Sequence, residues 1–214
     1  VLGVDANALH AALGGTGDAV IIGHDWGASG THAAAVLEPD RWRKVVTMAV
    51  PPGGAIGMSF VGNLDQLQRS WYMFFFQHPL ADLVVPNNDL AFIDMLWRDW
   101  SPGYAADEDV ANVKASLRDP AHLTAALGYY RATLGEGKKD PALDAAQMAT
   151  GQVPPQPTLY LHGRNDGCIG VEVAALAASM APPNLTVEIV DGAGHFLHLE
   201  RPAVVNRRIL ELLA

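Results

Sequence analysis

The chain has 214 residues, half of them hydrophobic, and a formal net charge of −9. That length holds one substantial core with room for a smaller second unit, and a charged fraction of only 17% excludes long disordered tracts. An acidic surface excludes a nucleic-acid backbone as partner, because that takes clustered Lys and Arg, and no apolar run reaches the ~18 residues of a membrane span.

"VDANALHAALG" at 4–14 reads as a short helix with Val4, Leu9, Ala12 and Leu13 as its apolar positions, stopped by Gly14-Gly15. "DAVIIG" is a continuous apolar run between turn signals and predicts a strand at Ala19–Gly23 buried on both faces, as in a parallel sheet. "ASGTHAAAVLEPD" is helical up to Pro39, and "KVVTMAV" predicts a second buried strand at Val45–Ala49, ended by Pro51-Pro52. From 53 to about 150 the β-branched runs vanish and helical patterns rich in aromatics, Leu, Ala and Asp take over. A helical lid inserted into an α/β core is expected there, with Trp71, Phe74, Phe75 and Phe76 as core aromatics. The α/β pattern returns after the Pro-rich "GQVPPQP": strands at Leu159–Leu161 and Thr186–Val190, a helix in "VEVAALAASMAP" and an amphipathic closing helix in "RPAVVNRRILELLA". The expected organisation is therefore core at 1–52, lid at 53–150 and core at 151–214.

Three loops carry chemistry. "VIIGHDWGASG" sets Asp25 between Gly23 and Gly27, after a strand and before a helix of small residues. This is the layout of a nucleophile elbow: glycines for a tight turn and close strand–helix packing, and a middle residue raised above the sheet at a helix N-terminus that favours an anion. An aspartate there, with a reference pKa of about 3.9, is ionised at neutral pH and needs no base to become a nucleophile. The competing reading is a plain helix cap. "LYLHGRNDGCIG" releases Asp166 from a strand, and "VEIVDGAGHFLHLERP" releases His195 after Gly192-Ala193-Gly194. Both lie past strand C-termini, where open α/β sheets gather their sites, and nucleophile–acid–histidine is the hydrolase chain order.

"GHDWGA", "LHGRNDGCI" and "GAGHFLHLERP" together resemble the α/β-hydrolase superfamily, in its aspartate-nucleophile branch of epoxide hydrolases and haloalkane dehalogenases. The resemblance implies an α/β-hydrolase fold, Asp25 as nucleophile, His195 as base, Asp166 as its orienting acid and the Trp26 backbone N–H as an oxyanion donor, with His24 beside the nucleophile at the pocket wall or packed in the elbow. It implies no cofactor. The family's H-G-x-P loop, source of a second oxyanion donor, does not precede the elbow, so the first strands of the sheet are expected to be missing and the activity of this chain is in question.

Epoxide opening leaves an alkoxide that needs a hydroxyl donor, whereas halide expulsion needs N–H donors around a soft anion. "SWYMFFFQHP" and "LGYYRATL" resemble the segments that each donate a tyrosine in epoxide hydrolases, which points to Tyr72 and Tyr130, with Tyr129 as the competitor of Tyr130. The expected reaction is epoxide to vicinal diol through an ester on Asp25. A dehalogenase on the same three residues with Trp26 as halide donor, and a non-catalytic ligand-binding relative, stay open. His198 rivals His195, Cys168 reads as a buried thiol, and Asp107, Glu108 and Asp109 read as a solvated helix start. The spacing of His24, His32 and Asp25 gives no metal site. The expected partner is a small apolar molecule, with homodimerisation left open. A single cysteine fits a reducing, cytoplasmic compartment, although a chain that opens at Val1 leaves a leader undecided.

Overall fold

A computed structural model describes residues Val1–Ala214. The apolar runs form β1 (Ala19–His24), β2 (Trp42–Met48), β3 (Thr158–Gly163) and β4 (Leu185–Val190). They pair in the order β1-β2-β3-β4, all parallel. Parallel neighbours need crossovers. The helix Trp26–Leu37 joins β1 to β2, and the helix Val171–Ser179 joins β3 to β4. Between β2 and β3 the chain is helical only, from Ala55–Gly62 through Trp71–Phe75, Asn87–Trp100 and Pro120–Leu134 to Asp144–Ala149. Every strand thus ends at the same sheet edge, and the loops after β1, β3 and β4 open side by side beneath the helices. No helix is long and apolar enough to cross a membrane.

The two largest of four apolar clusters hold most of this frame. Val46, Met48, Leu159, Leu161, Val190, Leu197 and Val205 fill the side of the sheet covered by the closing helix Pro202–Leu213. The other core lies within the insertion, where Tyr72, Phe76, Leu90, Phe92 and Leu127 pack with Cys168, Ile169 and Val173 from the loop and helix after β3. Apolar burial, at about 2 kcal/mol per large side chain, therefore fastens the inserted helices onto the loop that carries Asp166.

Four expectations need correction. The first strand is not buried on both faces, because β1 is an edge strand with a neighbour on one side only, and Ile22 is 47% exposed. β2 begins at Trp42 and stops at Met48, because Ala49 takes a left-handed φ of 67°. The first helix, Leu2–Ala12, packs through Gly3 and Asn7 and leaves Val4 and Leu9 outside. Its close approach needs Gly3, where a Cβ would stand 2.6 Å from Ala33 Cβ, and Asn7 bonds the Ala34 carbonyl and the Trp42 indole N–H. Finally, Trp71 and Phe74 are 43% and 46% exposed rather than core. A helix as short as Trp71–Phe75 buries one face, and the i, i+4 pair Tyr72 and Phe76 occupies it.

Candidate active site

Asp25 sits at φ 52°, ψ −121°. A non-glycine residue there costs about 1–3 kcal/mol and persists only when its surroundings hold it. The Asp25 N–H donates to the Met48 carbonyl of the neighbouring strand at 3.1 Å. Gly23 lets the next helix close in, since a Cβ there would lie 2.3 Å from Gly27 O and 2.4 Å from Thr31 Oγ1. Gly27 has no such duty: a Cβ on it meets nothing within 4 Å, so only the first glycine of the pair serves packing. The Asp25 side chain makes no capping hydrogen bond to the Trp26–Leu37 helix, which removes the cap reading. Its carboxylate faces a cavity.

Asp166 is fully enclosed and has its acceptors filled. Oδ1 takes the N–H of Cys168 at 2.8 Å and of Ile169 at 2.9 Å, and Oδ2 lies 3.0 Å from His195 Nδ1. That contact places the Nδ1 proton of His195 on the Asp166 side. His195 is 0% exposed, and its Nε2 has no hydrogen-bond partner. Nε2 stands 3.7 Å from Asp25 Oδ1. Burial pulls the imidazole pKa down, but the Asp166 charge and hydrogen bond, aided by Asp25, outweigh it and hold it well above the usual value. Burial likewise raises the Asp25 carboxyl, and the cation on His195 overrides it, so Asp25 stays below the ordinary carboxylate range. Both shifts favour a proton on His195 facing an ionised Asp25.

The cavity measures about 520 Å³ and is lined mainly by apolar side chains, with Asp25, Trp26, Tyr72, Tyr130, Cys168 and Ile169 among its walls. As first residue of its helix, Trp26 has a backbone N–H without an intrahelical acceptor. The rings of Tyr72 and Tyr130 meet edge to face at 5.7 Å, and Tyr130 also meets the Trp26 ring at 5.1 Å. Burial first, then nearby negative charge including Asp25, raises both phenols far above the ordinary tyrosine value, so both keep their protons. Tyr129 borders the same cavity but is 42% exposed.

Other candidates fall elsewhere. His24 does not line the cavity; its Nε2 lies 2.9 Å from the His195 carbonyl, and burial, then the His195 charge, lowers its pKa to about 4. His198 packs against His24 at 4.5 Å, away from Asp166. Cys168 is buried as expected, yet it is a cavity residue whose Sγ touches Tyr72 Oη at 3.3 Å. Ligand atoms of Asp166, Cys168 and His195 gather within 4.8 Å, a grouping that residue spacing did not reveal, but Asp166 and His195 are already bonded to each other there. Asp107, Glu108 and Asp109 open the helix Asp107–Leu117, where Asp109 accepts from Tyr104 Oη at 2.5 Å.

Gln66 carried no sequence signal. It is 1% exposed, donates to Ser70 Oγ and the Cys168 carbonyl, and accepts the Gly170 N–H, so an inserted helix grips the Asp166 loop. Only tertiary folding makes a glutamine in "LDQLQR" differ from a surface residue.

The sequence pattern of the alpha/beta hydrolase fold matches residues 4–202. The chain belongs to the α/β-hydrolase family. Among curated α/β-hydrolases, it is 25% identical to "Epoxide hydrolase 1" of Caenorhabditis elegans over 91% of its own length and 48% of that protein. The chain thus spans about half of that relative, and 53% of human "Epoxide hydrolase 4", to which it is 24% identical over 91% of its own length. Among solved α/β-hydrolases, an epoxide hydrolase from Bacillus megaterium in complex with an inhibitor superposes with TM-score 0.73 at 20% identity, covering 98% of this chain and 73% of that one. A mutant haloalkane dehalogenase from Agrobacterium tumefaciens superposes with TM-score 0.70 at 19% identity, covering 99% and 71%. These two likenesses establish the shared fold.

Proposed function

We propose that this α/β-hydrolase opens small apolar epoxides to vicinal diols through an alkyl ester on Asp25. The observation that carries the reading is two protonated phenols, Tyr72 and Tyr130, walling the same cavity as an ionised Asp25. The names of the nematode and human relatives point the same way.

An Asp25 carboxylate oxygen attacks an epoxide carbon and the ring C–O bond breaks. The ring oxygen takes the electron pair and a proton from one of the two phenols, and His195 returns a proton to that phenol once the ester has formed, which leaves the imidazole neutral. Esterification removes the Asp25 charge that aided Asp166 in holding a proton on His195, and the imidazole, its proton given up, serves as the base from this point of the cycle. Neutral His195 then takes a proton from water, and the hydroxide adds to the ester carbonyl, with the Trp26 N–H on the oxyanion. Collapse releases the diol, and the proton of the new carboxyl passes to the departing oxygen. Asp25 ends ionised and His195 ends protonated, as both began. The inserted helices act as the lid, and no cofactor enters.

A second reading is dehalogenation, favoured by Trp26, whose indole walls the cavity beside Asp25. One experiment separates the two. A single turnover with excess protein and an aryl-substituted terminal epoxide in ¹⁸O-water should place the label in the peptide holding Asp25 and leave the first diol unlabelled. Label in the first diol overturns the ester mechanism. Chloride release from a haloalkane without any diol formation establishes the second reading.

A further inference from the structure

We infer that Ser101 and Glu200 are positioning residues that hold His195 in register with Asp25. The inference deepens the reading above, and its first test needs no substrate.

Three consecutive backbone N–H groups of the histidine loop end on one unit formed by Trp100, Ser101 and Glu200. Gly194 N–H donates to Glu200 Oε2 at 2.8 Å, His195 N–H to the Trp100 carbonyl at 3.1 Å, and Phe196 N–H to Ser101 Oγ at 3.2 Å. The unit is closed on itself, because the Ser101 hydroxyl donates to Glu200 Oε1 at 2.8 Å and Ser101 is 1% exposed. The same Trp100 carbonyl also accepts Gly167 N–H at 3.0 Å, next to Asp166. The end of the inserted helix Asn87–Trp100 therefore carries both catalytic loops on one oxygen. The fit is close on both sides: a Cβ on Gly194 would stand 2.7 Å from Ser101 Cα, and one on Gly167 would stand 1.9 Å from Asp99 O.

The His195 ring needs this support. Asp166 fixes Nδ1, but nothing fixes Nε2, which stops 3.7 Å from Asp25 without a hydrogen bond. The distance from base to nucleophile is thus set by the loop backbone, and a displacement near 1 Å can cost about 100-fold in rate. Gln66 grips the acid side of the same pair; Ser101 and Glu200 grip the histidine side.

The test uses Ser101→Ala, Glu200→Ala and Glu200→Gln. Gln keeps one acceptor for Gly194 N–H, and its amide can donate to Ser101 Oγ, so it serves as the conservative rescue. The first readout is the low-field NMR resonance of the His195 Nδ1 proton in the free protein, followed against pH. It should broaden or vanish in Glu200→Ala and Ser101→Ala and survive in Glu200→Gln. The second is single-turnover kinetics with the epoxide, where ester hydrolysis should fall about 10- to 100-fold while alkylation of Asp25 stays within about twofold. A folded Glu200→Ala that keeps the parent resonance overturns the inference, as does equal slowing of both steps. If Glu200→Ala does not fold, Ser101→Ala decides on the same criteria. If no epoxide is turned over, the function proposed above fails while the resonance still decides this inference.

Discussion

His195 Nε2 stops 3.7 Å short of Asp25 Oδ1, too far for a hydrogen bond yet close enough for each to hold the other charged. The Asp25 oxygen keeps its lone pairs free of His195 this way, and in the reaction proposed above the imidazolium is discharged only when Asp25 becomes an ester.

That order of events predicts a trapped intermediate. His195→Gln removes the base of the second step and leaves the carboxylate of the first. After exposure to epoxide, mass spectrometry should find a stable adduct on the peptide containing Asp25. An adduct on another residue, or continued turnover by the variant, would remove Asp25 or His195 from these roles.

In the proposed reaction the phenols act where charge grows on the ring oxygen. Losing one such donor in a water-poor site costs about 3 kcal/mol, or ~100-fold in rate. Tyr72→Phe and Tyr130→Phe should each slow alkylation by that order, with ester hydrolysis and folding little changed because ring packing remains. Tyr129→Phe, at a half-exposed position, should be near neutral. If Tyr129→Phe is instead the damaging change, the two neighbours must exchange roles.

His32 predicts how stability varies with acid. It is 0% exposed, one ring nitrogen lies 3.2 Å from the Thr150 carbonyl, and burial lowers its pKa from 6.5 to about 4. Between those values the unfolded chain binds a proton that the folded chain refuses, so stability falls as pH drops from 6.5 toward 4 and gains nothing from this group above 6.5. The full swing is about 3 kcal/mol. His32→Asn should flatten the dependence of the thermal midpoint on pH in that window. An unchanged slope would show that His32 takes up its proton while folded.

Gly23→Ala should be severe, because its Cβ would stand 2.3 Å from the Gly27 carbonyl oxygen, which is backbone and cannot swing aside. Strand and helix would have to part, at a cost of about 2–4 kcal/mol, and Asp25 would lose its perch. Chemical denaturation should show the loss. Parent-like stability would mean that the elbow relaxes freely.

The local code of this chain reached a long way. Apolar runs between turn residues predicted four strands of a parallel sheet, and the shift to helical patterning after Pro52 predicted helices alone until β3. Asp25, Asp166 and His195 could be picked from three loops because each follows a strand, and parallel strands deliver their C-terminal ends to one edge. These are properties of periodicity and chain order, which are local.

What tertiary structure alone decided depends on neighbours. The run "DAVIIG" cannot say that β1 has a partner on one side only, and the apolar positions of the first helix cannot say that Gly3 and Asn7 win the packing by allowing closest approach. The aromatic run from Trp71 to Phe76 does not disclose which side chains a single helical turn can turn inward. Cys168 looks like any buried thiol until folding sets it against Tyr72. Ser101 and Glu200 are 99 residues apart and unremarked in sequence, yet together with Trp100 they hold the backbone of His195. Residue type and periodicity could nominate the three charged groups of the site, but only the meeting of distant backbone segments could set the distances between them.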